Sequence, residues 1–351
     1  MNIKELLQLT IDHNASDLHL VAGVAPYLRV EGELLAVNGA GILTQEMITA
    51  LVTETLTTEQ MQRLVANKEI DLGISFSDQA RFRVNVYTQK GSWAAAFRRI
   101  PVTIPSIDGM GMPKILHKFS SLRQGLILVT GPTGQGKSTT LAAILNEINV
   151  NRAAHILTIE DPIEFVFRPI KSVITQREMG GDTHSWTMAL RSALREDPDV
   201  VLVGEMRDYE TIAAALTVAE TGHLVFATLH TNSAAQTIDR IVDVFPENQQ
   251  VQVRMQLSNV IEAVFSQRLV PSMTNKRVAA HEVLLGSTAI KTAIRDGKTH
   301  QIDSIIQTST EMGMRTLEMS LAELVKNGTI TLDIAQSFSL RPEDLNRLVQ
   351  R

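Results

Sequence analysis

The sequence predicts an α/β protein built in two unlike halves. Three observations predict it. Apolar runs of strand length alternate with helical stretches in the second half. A long period-two run marks the first half. A segment rich in proline and glycine lies between them.

The first half mixes helix and strand. Residues 4–13 carry apolar side chains at helical spacing. Residues 27–37 read as a hairpin turning at Glu31-Gly32. In residues 80–89, Phe82, Val84 and Val86 point one way while Arg81, Arg83 and Asn85 point the other. Lys90-Gly91 turns the chain and residues 93–100 return. Residues 1–99 are therefore expected to form a small α+β domain with arginines on one strand face. Residues 100–113 read IPVTIPSIDGMGMP, with three prolines and two glycines. Missing backbone donors and permissive dihedrals disfavour any regular element there. The segment 100–115 is expected to link two domains, the alternative being a long surface loop within one.

In the second half, residues 126–130, 154–159, 200–203 and 224–229 are the expected central strands of a parallel sheet covered by helices. The core is expected over 116–288. From 289 to 351 the pattern is mostly helical.

Composition narrows the class. The chain has 351 residues, 44% hydrophobic and 20% charged, which suits a soluble globular protein with two cores. Aromatic residues are only 4%, so aliphatic side chains and Met must fill those cores. With no cysteine, disulfides and thiolate metal sites are excluded, and a reducing compartment is compatible. The net charge of −5 and the scarcity of stacking aromatics argue against a nucleic-acid partner. No basic-then-apolar leader and no run of membrane-spanning length is present. A cytoplasmic protein that meets a membrane only through partners is expected.

The most specific motif is Gly131-Pro132-Thr133-Gly134-Gln135-Gly136-Lys137-Ser138, which fits G-x-x-x-x-G-K-[ST]. It follows an expected strand and precedes a helical stretch beginning at Thr139. The glycines let backbone N–H groups face phosphate oxygens, and the helix N-terminus adds its positive dipole end. Lys137 offers a cation to the outer phosphates and Ser138 a hydroxyl to Mg²⁺. ATP and Mg²⁺ are the ligands this cradle implies.

Two acidic segments follow strands. Glu160, Asp161 and Glu164 lie just past the second central strand, where carboxylates can orient a metal or take a proton from attacking water. A polar turn is the plainer alternative. Glu205 ends the third strand, but Gly204 stands where many phosphate-loop enzymes place their metal-holding aspartate. Glu205 must then reach Mg²⁺ itself, through water, and the proton-accepting role falls to Glu160, Asp161 or Glu164. His223 precedes and His230 follows the fourth strand, and both are candidates to approach the γ-phosphate. The nine histidines show no metal-ligand spacing. Arg191 and Arg195 are expected to share a helical face. They and Arg81, Arg83, Arg98 and Arg99 could neutralise phosphate charge or make surface ion pairs.

The blocks GPTGQGKS, TIEDPIEF, DPDVVLVGEMRD and AETGHLVFATLHT, in that order, resemble the secretion ATPase superfamily. ASDLHL (15–20), RFRVN (81–85), RSALREDPD (191–199) and RVAAHE (277–282) are similar to its type IV pilus retraction branch. The QRLV stretch at 267–270 runs directly into Arg277 without the four-cysteine module of the assembly branch. The resemblance implies a homohexamer with a PAS-like N-terminal domain, a RecA-like ATPase domain and a helical C-terminal region. It implies ATP hydrolysis that retracts pili at the cytoplasmic face of the inner membrane, acting on a platform protein there. An accessory paralogous ATPase is both a possible partner and the runner-up identity. By motif position, Glu164 is the implied general base and Glu205 the Mg²⁺ organiser. His223 and His230 are the His-box pair, and Arg81, Arg83 and Arg98 the implied phosphate contacts. Two stretches depart from the branch: AIKTAIRD at 289–296, where Lys291, Thr292 and Ala293 differ, and TQKG, with Lys90 in place of arginine. A nucleic-acid motor and a regulatory nucleotide-binding subunit are the competing classes.

Overall fold

Two dipeptides set the first half's hairpins. Glu31-Gly32 has φ of 50° and 91°, and Lys90-Gly91 has 46° and 80°. Two consecutive left-handed residues are what a tight hairpin between right-twisted strands requires. The computed structural model describes residues 1–76, 80–100, 103–274 and 276–350. By contacts, the chain divides into one unit of Met1–Thr103 with Pro162–Val166, and another of Ile104–Asp161 with Phe167–Arg351.

The first unit opens with α1 (Ile3–Asp12), β1 (Asp17–Leu20), β2 (Tyr27–Val30) and β3 (Glu33–Ala36). Then come α2 (Gln45–Thr53), α3 (Thr58–Asn67), β4 (Glu69–Phe76), β5 (Ala80–Gln89) and β6 (Ser92–Ile100). Among the described residues the strands form one antiparallel sheet in the order β3-β2-β1-β6-β5-β4. Alternation on β5 does what the sequence predicts: Phe82, Val84 and Val86 are fully buried, and Arg81, Arg83 and Asn85 are half-buried. The inward face packs with Leu6 of α1, Ile48 of α2 and Leu64 of α3. Capping boxes at Asn2/Glu5 and Thr57/Gln60 fix where α1 and α3 begin.

The second unit begins with α4 (Ile115–Ser121), β7 (Gly125–Thr130), α5 (Lys137–Asn151) and β8 (His155–Glu160). It continues through β9 (Val173–Glu178), α6 (Trp186–Ala193), β10 (Val200–Val203), α7 (Tyr209–Glu220) and β11 (Leu224–Leu229). Next are α8 (Ala234–Asp243), α9 (Glu247–Val260), β12 (Ile261–Pro271) and β13 (Arg277–Leu285). Five helices finish it: α10 (Thr288–Arg295), α11 (Ile302–Thr308), α12 (Leu317–Lys326), α13 (Leu332–Phe338) and α14 (Pro342–Gln350).

Its sheet runs β13-β12-β7-β11-β10-β8-β9, all parallel except the edge strand β13. The four strands expected from sequence are the contiguous centre, β7-β11-β10-β8. Strands β7, β10 and β11 are buried along their whole length, which is why they read as unbroken apolar runs. Parallel pairing puts the carboxyl ends of all four on one edge, the ligand-binding edge of such sheets. Helices α12 to α14 pack on β12 and β13 through Val270, Ala280, Leu321, Ala335 and Leu345.

Of the expected linker, Pro101 and Val102 lie outside the described residues. Its later part holds a single helical turn at Asp108–Met110. One expectation is corrected. Arg191 lies on α6, but that helix ends at Ala193, and Arg195 follows in a turn closed by its N–H to Ser192 O (2.8 Å). The two arginines do not share a helical face.

Candidate functional site

The phosphate loop leaves β7 at Thr130 and enters α5 at Lys137. Gly131, Gly134 and Gly136 have φ of 139°, 77° and 81°, a region closed to most side chains. Two of these glycines also press on one residue of β12. A Cβ on Gly131 would lie 2.3 Å from Gln267 O, and one on Gly136 would lie 2.9 Å from Gln267 Nε2. Gln267 is itself almost fully buried. Its Nε2 donates to Gln135 O (2.7 Å), and its Oε1 accepts from Thr140 Oγ1 on α5 (2.7 Å). The loop reciprocates, with Gln135 Oε1 accepting from Leu269 N (2.5 Å). Thr130 Oγ1 meets Ser266 Oγ at 2.5 Å, and Arg277 Nη1 donates to Gly134 O at 3.4 Å. The loop is thus held open by the β12–β13 hairpin.

The cradle suits an anion. The residue before α5 is Gly136, which places no side chain on the helix's first N–H groups. Those donors and the dipole end face the loop. Lys137 is buried, its Nζ donating to Gly131 O (2.7 Å) and Pro132 O (2.9 Å). Carbonyls hold an ammonium that a phosphate can draw away. Pro132, Thr133, Ser138 and Thr139 complete the loop and first turn at half-buried to exposed positions.

The neighbouring strand ends bring other predicted residues to the same edge. His230, just past β11, sits 3.4 Å by Nδ1 from Lys137 Nζ and 3.5 Å by Nε2 from Glu205 Oε2. Glu205, just past β10, pairs through Oε1 with Arg207 Nε at 2.6 Å. Gly204 explains why no aspartate precedes it. A Cβ there would lie 3.1 Å from Ile159 O and 3.3 Å from both Glu160 Cα and the Trp186 ring, tighter than ordinary packing.

The acidic segment splits. Glu160 is buried at the end of β8, where its Oε1 accepts from Thr158 Oγ1 (2.6 Å) and Gln176 Nε2 (3.3 Å). Asp161 is exposed and Glu164 half-buried. The five residues Pro162–Val166, Glu164 among them, group with the first unit.

His223 is not brought to the phosphate edge of its own chain. It precedes β11, and Gly125 N donates to its carbonyl at 3.0 Å. In the register of β11 on β7, Leu224 lies opposite Gly125 and Leu229 opposite Thr130. His223 is therefore a strand's length, roughly 20 Å, from the loop. Its Nδ1 lies 3.0 Å from both Thr221 Oγ1 and Val218 O, at the end of α7.

The predicted arginines share the first unit's sheet. Arg83 on β5 lies directly opposite Arg98 on β6. Arg83 holds Asp71 through Nε (3.1 Å) and Nη2 (2.5 Å), and Arg98 Nε holds Asp17 Oδ1 at 2.8 Å. Burial opposes the Asp17 charge. Hydrogen bonds from Ser16 and Arg98, with the Arg98 charge, outweigh it and keep this carboxyl below its ordinary range. Arg81 Nη1 donates to Ser75 Oγ at 3.2 Å.

Sequence reasoning passed over Gln267 and Arg207 as site residues. Gln267 stood in plain view within the QRLV stretch, but its contact with the loop spans more than 130 residues of chain.

The side chains expected from sequence to meet Mg²⁺ are the hydroxyl of Ser138, half-buried, and the carboxylate of Glu205. Among the described residues no cluster of three or more His, Asp or Glu side chains forms a metal cage. No helix among the described residues is long and apolar enough to cross a membrane.

Comparison with known proteins completes the picture. The family model described as "Type II/IV secretion system protein" matches residues 1–316. The type IV pilus retraction ATPase PilT of Pseudomonas aeruginosa is 47% identical over 344 residues, spanning 98% of this chain and 100% of that protein. The type IV pilus ATPase PilU of the same organism is 37% identical over 351 residues, spanning 100% and 92%. A crystal structure of the pilus retraction motor PilT with bound ADP superposes with a TM-score of 0.93. It is 45% identical and covers 99% of each chain.

Proposed function

The chain belongs to the type II/IV secretion system protein family, where it is an ATP hydrolase of the pilus retraction class, and we propose the following division of labour among its residues. The phosphates of ATP lie along the backbone from Gly131 to Gly136 and over the N-terminus of α5. Lys137 leaves its two carbonyls for the outer phosphates. Ser138 and, through water, Glu205 would hold Mg²⁺, and the ion would supply charge that offsets that of the phosphates. His230, between Lys137 and Glu205, orients groups at the γ-phosphate. Glu164 takes the proton from the attacking water. Arg81, Arg83 and Arg98 stabilise phosphate charge as it develops.

The observation that carries this reading is the convergence of Lys137, His230 and Glu205 at the carboxyl edge of the parallel sheet, beside a loop whose glycines leave its amides exposed. The higher identity to the retraction ATPase than to the second pilus ATPase favours the retraction role over the accessory one. We further propose a homohexamer, working at the cytoplasmic face of the inner membrane on a pilus platform protein, with an accessory paralogous ATPase as a second partner.

The test is Mg²⁺-dependent ATP hydrolysis by the purified chain, with its oligomeric mass, beside Glu164→Gln and Lys137→Ala. Both variants are expected to lose turnover, and Glu164→Gln to keep ATP binding. Normal hydrolysis by Glu164→Gln would move the base to Glu160 or Glu205. ATP binding without turnover by the unaltered chain would make it a regulatory subunit.

A further inference from the structure

Glu282, in the RVAAHE stretch of residues 277–282, plays no part in the reading above, yet its carboxylate reaches the helix behind His230. Glu282 lies on β13 with 1% of its surface exposed. Its Oε1 accepts from the backbone N–H of Ala234 at 2.6 Å. Ala234 is the first residue of α8, and Ser233 is its cap. The intervening residues 231–233 are strapped to the same helix. Thr231 Oγ1 lies 2.7 Å from Thr237 Oγ1, Asn232 N donates to Gln236 Oε1 (2.8 Å), and Gln236 N donates to Ser233 Oγ (3.2 Å). From His230 to the first turn of α8 the chain is therefore one fastened piece, and Glu282 fixes its far end.

Glu282 is itself held in place. Its Oε2 has no hydrogen-bond partner among the described residues and faces Arg341 Nη2 at 3.9 Å. Arg341 precedes α14 and also bonds Asp303 of α11 (2.5 Å) and Glu318 of α12 (3.2 Å). A buried carboxylate with one bare oxygen is costly. A helix-capping role alone could be served by a neutral side chain such as the Ser and Thr caps used throughout this fold.

We propose that Glu282 is a positioning residue of the ATP site: by fixing the N-terminus of α8 it sets the place of His230 against Lys137 and Glu205, and Arg341 ties that setting to the C-terminal helices. This rests on the placement of His230 at the γ-phosphate given above. Small misplacements of a reacting group cost up to about a hundred-fold in rate.

The experiment uses the full chain and measures turnover separately from the affinity for a fluorescent ADP analogue. Glu282→Met keeps length and removes the acceptor. It is expected to lower kcat about ten-fold or more with affinity changed less than about two-fold. Glu282→Gln keeps an acceptor for Ala234 and is expected to restore most of the turnover. Should Glu282→Met fail to fold, Ala234→Pro breaks the same bond from the donor side. Proline suits a first helical position, and Ser233 before it is already extended at φ −148° and ψ 165°. Wild-type turnover in Ala234→Pro would overturn the proposal. The deciding arm is the double variant with His230→Ala. If Glu282 acts through His230, Glu282→Met costs less than about two-fold in that background. A fully additive loss overturns the positioning role and leaves the ATP-site reading intact. A His230→Ala variant that turns over normally removes His230 from the reaction, and this inference with it.

Discussion

The phosphate edge and the Arg341 cluster both gather charge around one sheet, with opposite geometry. At the phosphate edge, His230 lies 3.4 Å from Lys137 and 3.5 Å from Glu205, near the outer limit of hydrogen bonding, and its side chain is 47% exposed. In the cluster, Arg341 donates to Asp303 at 2.5 Å and to Glu318 at 3.2 Å. Glu318, 2% exposed, also accepts from Ser339 Oγ, Leu340 N and Arg341 N at 3.0–3.1 Å. The long contacts of a partly hydrated His230 exchange partners at little cost, whereas carboxylates buried as deeply as Glu318 and Glu282 are expensive to strip of their cation. The first region is set to change partners when phosphate arrives, and the second is set to hold.

The largest expected effect separates the two on activity. Lys137→Ala should lower turnover by roughly a hundred-fold or more, as removal of a charge-stabilising donor does. Its thermal midpoint should stay close to that of the unaltered chain, because a partner-changing lysine contributes little to the fold. A large drop in midpoint would mean that the phosphate edge is a structural element after all. Arg341→Ala should do the reverse to stability. It leaves Glu318 and Glu282 buried without their cation, at a cost of about 3–5 kcal/mol. A shift of the urea midpoint at unchanged slope would register it. A shift below about 1 kcal/mol would place this cluster with ordinary surface pairs.

Two glycines of the phosphate loop sharpen the contrast on a smaller scale. At Gly131 a methyl group would meet Gln267 O at 2.3 Å, while at Gly134 it would meet nothing within 4 Å. Both have positive φ. Gly134→Ala should cost about 1–2 kcal/mol from the backbone conformation alone. Gly131→Ala should cost clearly more, because the β12 backbone must also move. Equal losses in denaturant melts would show that the hairpin yields freely, so that Gln267 does not brace the loop.

Much of this was legible in the sequence, and the reason is locality. The phosphate loop, the four central strands, the Glu31-Gly32 and Lys90-Gly91 turns and the arginine face of β5 are each written within about ten residues. What was not legible depends on distant pairing. Gln267 reads as one polar residue in an apolar run until β12 lies beside β7. Strand β9 is half-exposed and polar, so it carries no strand signal. Glu282, Glu318 and Arg341 read as surface charges, because charge is the usual mark of exposure. His223 and His230 look alike in the AETGHLVFATLHT block. Only the direction of β11 sends them to opposite ends of the sheet.

The last effect concerns two neighbours on β13 whose protons oppose each other. Burial, reinforced by the Arg315 charge, lowers His281 to about 3. Burial pushes Glu282 up to about 7, with Asp303 and Glu318 adding to the rise and the Ala234 N–H and Arg341 opposing it. For His281 the unfolded chain binds the extra proton between about 3 and its ordinary value of 6.5, so this residue makes stability rise with pH across that window. For Glu282 the folded chain binds the extra proton between its ordinary 4.5 and about 7, so this residue makes stability fall as pH rises there. Between roughly 4.5 and 6.5 the two slopes have opposite signs and nearly cancel. Glu282→Gln should therefore expose a stability that climbs with pH over that interval relative to the unaltered chain, read from urea midpoints at fixed protein concentration. Replacing His281 by Phe, which keeps a ring on Phe265 (the present ring centroids are 5.5 Å apart), should expose a fall with pH over the same interval. Parallel pH profiles for all three proteins would mean that neither group is held away from its ordinary titration, and the cluster would then be wetter and looser than its burial implies.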